Sequence, residues 1–253
     1  KKNYIYFFFK KMEIILYKKS SYIIVLCKDA IEEIVSYSPE YFNKVVVIPT
    51  CVDTNQFIIQ KKVIMKEHTF VLCQVGTIQT RYLINNTIIF FKEFKKRHKS
   101  KLLIINKNEK KELTKIFSKN SLNSNEFKII HSNHSDIATI INQVDVCIFF
   151  PKKGFFKKGF FPTKIAEFLS CGIPIFSSSI NNDVDEIILK NKLGVILNDL
   201  SAKSINSAID DLFKLLNDFE FKERARNFVV NNLSVECAVY KHNEIYKNLL
   251  IYE

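Results

Sequence analysis

Short apolar runs that alternate with amphipathic segments constrain this chain more than any other feature. The runs are YIIVLC, KVVVIPT, FVLCQVG, KLLIIN, FKIIHS, VDVCIFF, IPIFSS and LGVIL. Between them lie DAIEEIVSY, NNTIIFFKEFKKRHK, KKELTKIFSKN, SDIATIINQ, PTKIAEFLSCG and DVDEIILKN, whose apolar residues recur at helical spacing. A strand buried on both faces reads as a near-continuous apolar run, and such strands joined by helices make a parallel sheet covered on both sides. The pattern predicts an α/β, doubly wound architecture. Three helical segments close the chain: AKSINSAIDDLFKLLN, FEFKERARNFVVN and SVECAVYKHNEIYKNLL, with Ser201 and Ser234 placed as N-caps of the first and third.

The stretch TCVDTNQFIIQKKVIMKEH has weak periodicity and reads as an interdomain linker. The expected division is 1–50 for an N-terminal piece, 51–66 for the linker, 67–232 for a complete α/β domain and 233–253 for a C-terminal helix that packs back towards the N-terminal piece. The first piece holds about two strands and two helices, too few for a self-sufficient doubly wound domain. The sequence opens at Lys1 inside a helical pattern and reads as part of a longer protein.

Composition narrows the function classes. A hydrophobic share of 47% suits a folded globular chain rather than a disordered one. No apolar run reaches the roughly 18–20 residues that span a bilayer. YIYFFFKKMEIILY is interrupted by Lys10, Lys11 and Glu13 and lacks a small-residue cleavage site, so it does not read as a signal peptide. The net charge of +12 raises nucleic acid as a partner, but only Arg81, Arg97, Arg224 and Arg226 among the 38 basic residues carry the guanidinium preferred for bidentate recognition. Nucleic acid is therefore discounted, whereas an anionic membrane surface, which responds to diffuse lysine charge, stays open. The six cysteines are scattered through apolar runs without a CxxC pair, which reads as reduced, buried thiols and predicts no metal site.

Two strand-to-helix junctions carry chemistry-bearing residues. In open α/β sheets ligands bind beyond the carboxyl ends of strands, where helix N-termini present free N–H groups. At QVGTIQTRY, Gly76 lets the backbone approach a ligand and Arg81 follows within reach of an anion; a tight turn with a solvated arginine is the alternative. At KKGFFKKGFFPTKIAEFLSCG, Pro162 and Thr163 open a helix that Gly172 closes. Lys164 and Glu167 share one face at i,i+3. That spacing fits an ordinary surface salt bridge. It equally fits a carboxylate for a ribose diol with a cation and helix amides for phosphate.

In order along the chain, KVVVIPTCVDTNQF, FVLCQVGTIQTRY, FKIIHSNHSDIATIINQVDVCIFFP and PTKIAEFLSCGIPIFSS resemble segments of the family 4, bacterial-type glycosyltransferases. These are retaining enzymes of the GT-B fold. The resemblance implies one complete Rossmann-like doubly wound parallel-sheet domain with a partial second one. It implies a donor site of Gly76, Arg81, His131, Pro162, Thr163, Lys164 and Glu167, with Glu167 on the ribose, Thr163, Lys164 and the Pro162 amide region near the diphosphate, and His131 bordering the base. It further implies a UDP-, GDP- or ADP-sugar donor, a glycan or glycolipid acceptor, no cofactor and no metal, and a cytoplasmic location, with the inner membrane face as a possible surface. The catalytic residues stay unassigned, because the N-terminal domain that contributes them is mostly absent. Many members carry a further glutamate eight positions before the ribose-binding one; here that position is Gly159. The alternatives are another GT-B sugar-nucleotide enzyme of epimerase-like chemistry, or a non-catalytic sugar-nucleotide-binding protein.

Overall fold

Parallel strand pairing builds two sheets of unequal size. The computed structural model describes residues 2–60, 68–77, 82–106 and 110–251. In the smaller lobe, helix α1 (Lys2–Lys19) leads into strand β1 (Ile23–Val25), helix α2 (Asp29–Val35), a 3-10 turn over Pro39–Lys44 and strand β2 (Val45–Val47). β1 and β2 pair in parallel with Ile24 opposite Val46. Ile23, Val25, Ile34 and Tyr41 form a small core, and Tyr17 of α1 packs on it through Tyr37 and Tyr41.

The larger lobe carries strands β3 (Phe70–Val75), β4 (Ser100–Ile105), β5 (Phe127–Ile130), β6 (Val146–Phe149), β7 (Ile175–Ser178) and β8 (Gly194–Leu197). Its helices are α3 (Ile84–Arg97), α4 (Lys110–Lys119), α5 (His134–Ile141), α6 (Thr163–Ser170), α7 (Asn182–Lys190), α8 (Ala202–Leu216) and α9 (Phe221–Asn232), followed by α10 (Val235–Ile251). The strands lie in the order β5-β4-β3-β6-β7-β8, all parallel. This is the doubly wound order, and the direction of winding reverses between β3 and β6. The α/β parallel-sheet expectation is met.

The pleat explains the two-layer burial. Successive strand side chains point to opposite faces. Leu103 and Ile105 of β4, and Cys147 and Phe149 of β6, join one core with α5, α6, α7 and α9. Leu102, Ile104, Val146 and Ile148 join the other with α3, α4 and α8. Val52 and Phe57, from the stretch between the lobes, sit in the first of these cores. Ser201 caps α8 by accepting from the Ser204 N–H, and Ser234 caps α10 by accepting from the Cys237 N–H. The chain around Val52 is stitched to the start of α10, since the Val52 N–H donates to Leu233 and the Val235 N–H donates to the Val52 carbonyl. Further along α10, the Lys241 ammonium reaches the Val47 carbonyl of β2 at 3.4 Å.

Phenylalanine fills the face under α3. Phe90 is fully buried and stacks on Phe176 of β7 with ring centroids 3.9 Å apart. Phe90→Ala should destabilise the protein by about 3–5 kcal/mol, because the close-packed surroundings collapse only partly into the cavity. Denaturant unfolding checks this; a loss below about 1 kcal/mol would show that the layer is not tightly packed.

Candidate functional site

The crevice at the winding reversal is built from the ends of three strands. β3 ends at Val75, and Gly76 turns with φ +121°, a region that side-chain-bearing residues rarely adopt. Its N–H donates to the Ile105 carbonyl at 2.9 Å, and its carbonyl accepts from the Asn106 side-chain amide at 3.0 Å. The Asn106 N–H in turn donates to the Ile130 carbonyl at 3.0 Å, so β3, β4 and β5 end in one ladder around Gly76. Across the reversal, Tyr82 bridges to Pro151, and its ring meets Phe149 at 5.1 Å.

Helix α6 closes the crevice from the β6 side. A Cβ placed on Gly76 would lie 2.7 Å from the Tyr82 ring and 3.3 Å from the Lys164 Cε. Lys164, in the first turn of α6, therefore lies directly over the Gly76 turn. Pro162 precedes that turn in extended backbone and supplies no side-chain cap, and its carbonyl accepts from the Ile165 N–H at 3.0 Å. Ile165, Ala166, Glu167, Phe168, Leu169 and Ser170 are all buried. At 7% exposure, the Glu167 carboxylate is not one half of a solvated surface pair. Lys164 and Glu167 both act on the Cys147 thiol of β6: burial pushes that thiol well up, Lys164 opposes the shift and Glu167 adds to it. Both charges thus bear on the β6 strand next to the reversal.

Of the seven expected site residues, the structure brings Lys164 against Gly76, while Pro162, Thr163 and Glu167 lie on or beside the same helix α6. His131 is exposed immediately after β5, at the same carboxyl end of the sheet but at its edge. Arg81 lies outside the described residues. Asp145 sits at the opposite, amino end of β6, where it accepts from the Val71 N–H at 2.7 Å and meets His68 at 3.0 Å. Asp185 accepts from the Ile180 N–H at 2.8 Å, and burial pushes its carboxyl up. Both carboxylates act as backbone caps in this fold.

No local sequence signal marks the residues that join the two lobes. Asp29 of α2 accepts from the Asn182 and Asp183 N–H groups at 2.9 and 3.1 Å. Asp183 of α7 accepts from the Lys28 N–H at 2.8 Å. Each helix start thus receives a carboxylate from the other lobe. Asp29 and Asp183 each open a segment that reads as helical, but a partner some 150 residues away leaves no local signal. Asn106 was visible only as the polar end of an apolar run.

A Rossmann-ordered sheet with a glycine turn and a helix N-terminus facing each other at its winding reversal defines an α/β ligand-binding domain. The profile of the family described as glycosyl transferases group 1 matches residues 55–228, and the chain belongs to that family. Among solved structures, sucrose-phosphate synthase from Thermosynechococcus elongatus superposes with a TM-score of 0.70 at 13% identity, covering 95% of this chain and 61% of its own. A glycosyltransferase from Rickettsia africae gives a TM-score of 0.70 at 18% identity, with 91% and 64% covered. The pneumococcal O-GlcNAc transferase GtfA, solved with UDP and GlcNAc, gives 0.62 at 14% identity, with 93% and 47% covered. The chain thus shares the GT-B type of fold with these proteins and spans less than two thirds of the length of each. No curated protein sequence matches it.

Gly76→Ala tests the crevice geometry. Positive φ and the 2.7 Å approach to Tyr82 together should cost about 1–3 kcal/mol of stability and push Lys164 off the turn. Thermal unfolding and a crystal structure of the variant check this. An unshifted Lys164 in a variant of wild-type stability would contradict it.

Proposed function

We propose that this chain supplies the donor-binding half of a retaining glycosyltransferase, which moves a sugar from a nucleotide sugar to a glycan or glycolipid hydroxyl. The observation that carries the reading is the approach of Lys164 to the Gly76 turn, with buried Glu167 one helical turn further along α6. A nucleotide sugar is anionic at its diphosphate and diol-rich at its ribose. The leading amides of α6 and the Lys164 ammonium suit the first, and a buried carboxylate acceptor suits the second. His131 borders the base in this reading. The UDP-bound pneumococcal relative supports a nucleotide donor for a protein of this fold.

The chemistry this requires of the chain is electrostatic. As the glycosidic bond breaks, charge gathers on the leaving diphosphate, and fixed amide dipoles with Lys164 stabilise that charge more in the transition state than in the ground state. No metal and no covalent nucleophile enters the proposed route. The acceptor hydroxyl attacks from the face the donor leaves, and a diphosphate oxygen takes its proton. Retention of configuration follows from that same-face attack. Acceptor contacts would come from the N-terminal lobe.

A thermal-shift panel of UDP-, GDP- and ADP-glucose against wild type and Glu167→Ala tests the donor site. One donor should stabilise the wild type by about 2–3 kcal/mol at a hundred times its Kd, and Glu167→Ala should lose most of that gain. Equal stabilisation of both proteins removes Glu167 from the site.

A cytoplasmic location at an anionic membrane surface completes the proposal. Tyr4, Ile5, Tyr6, Phe7, Phe8 and Phe9 of α1 are 59–83% exposed, and Lys18 and Lys19 end the helix. Aromatic side chains with lysines suit a headgroup interface. No helix among the described residues is long and apolar enough to cross a membrane. Sedimentation with phosphatidylcholine vesicles containing phosphatidylglycerol should capture the protein, and pure phosphatidylcholine should capture little. Equal capture by both would remove charge from the account.

A further inference from the structure

The loop that enters α6 is held by side chains from outside it. The Asn181 side-chain amide donates to the Lys157 carbonyl and to the Phe160 carbonyl, both at 2.8 Å. The Cys27 thiol donates to the Lys158 carbonyl at 2.9 Å, and the Thr50 hydroxyl donates to the Phe161 carbonyl at 3.0 Å. The loop's own lysines reach outward as well, Lys157 to the Ser179 carbonyl at 2.5 Å and Lys158 to the Glu33 carboxylate at 3.6 Å. Gly154 and Gly159 bracket its 3-10 turn, and Phe155 and Phe156 face solvent at 63% and 43% exposure. Phe161 is buried at its end and Phe160 packs against the core, so apolar burial holds that end while the polar tethers set the course of the carbonyls between Lys157 and Phe161.

Asn181 makes two of the four tethers and does a second job with its other atom. Its Oδ1 accepts from the Val184 N–H at 2.9 Å as the N-cap of α7, and the residue is 7% exposed. Serine or aspartate would cap α7 about as well as asparagine. Neither carries two N–H donors, and aspartate would set a carboxylate oxygen against two carbonyl oxygens. The cap alone therefore does not account for an asparagine here, while the loop contacts do.

We propose that Asn181 is a positioning residue for α6. Its carboxamide fixes the loop Lys157–Phe161 and so sets where the leading amides of α6 and Lys164 point. It touches no reacting atom. The effect on ligand binding rests on the reading of α6 as the donor helix; the effect on the loop does not.

Hydrogen–deuterium exchange of the full chain tests it with Asn181→Ser and Asn181→Asp, which keep a cap acceptor and lose both donations. Exchange in the peptide spanning 160–166 should accelerate about tenfold, as expected for two lost hydrogen bonds, while the 184–190 peptide of α7 stays within about twofold. Unchanged exchange at 160–166 overturns the proposal. Equal acceleration in both peptides also overturns it, because Asn181 would then act as a cap alone. Thr50→Val, which removes one tether, keeps the test open if both Asn181 variants misfold: it should accelerate 160–166 by about threefold. No acceleration there would mean that the tethers do not set the loop, and the proposal falls.

Isothermal titration with UDP, GDP and ADP supplies the second arm. Asn181→Ser should weaken the tightest nucleotide about tenfold without a matching loss of melting temperature. Unchanged affinity in Asn181→Ser beside a large loss in Glu167→Ala overturns the positioning role. Accelerated exchange in Asn181→Ser with Glu167→Ala binding like wild type leaves the positioning role supported and removes the donor reading instead.

Discussion

The pairing of β3 with β4 on one side and β6 on the other decides where everything else can go. The helices after β3 and β4 cover one face of the sheet, and those after β6 and β7 cover the other. A crevice must open between the two winding directions at the carboxyl ends of these strands. The Gly76 turn and Lys164 of α6 face each other across it, with room for no side chain between them. A side chain at position 76 would overlap Tyr82 and crowd Lys164 at once. The close approach of Tyr82 and Lys164 to the end of β3 therefore depends on a missing Cβ as much as on the sheet order.

Burial on both faces makes parallel strands easy to recognise, and that is why the sheet was legible from its apolar runs. The same burial hides the chemistry. At i,i+3 spacing, Lys164 and Glu167 fit either a surface ion pair or a ligand site, because spacing fixes the shared face and not what covers it. Only the packed structure shows that α6 is enclosed and that Glu167 lies at 7% exposure. Ser201 and Ser234 were readable as caps because a cap is local, three residues from its partner. Asp29 with Asp183 is the same interaction made between lobes, and no local rule reports it.

Long-range polar contacts of this kind also join α6 to the segment between the lobes at its far end. The Arg226 guanidinium of α9 donates to the Thr54 carbonyl at 2.6 Å, to the Phe57 carbonyl and to the Ser170 hydroxyl at 2.6 Å. The Ser170 hydroxyl itself donates to the Phe57 carbonyl at 2.6 Å. An arginine can satisfy several carbonyls from one planar fork, which a lysine cannot. The exit of α6 is thus tied to residues 54–57, as its entrance is tied to Cys27, Thr50 and Asn181. A helix held at both ends by residues of the neighbouring segments has little freedom to shift alone.

That coupling bears on Gly159. It lies inside the tethered loop, and a Cβ there would meet open space. Steric crowding therefore does not explain the glycine, and the position is free for another group to approach. In the proposed reading, the resemblance places contact with the transferred sugar near this point, where position 159 itself carries no carboxylate and Glu33 of α2 pairs with the adjacent Lys158 at 3.6 Å. The lobe that carries Cys27 and Thr50 borders the loop and is the nearest source of a group for that role in this reading. Any rotation of that lobe would pull on the same carbonyls that set α6. In that reading, donor grip and acceptor-side geometry are coupled through the tethers that join the two lobes.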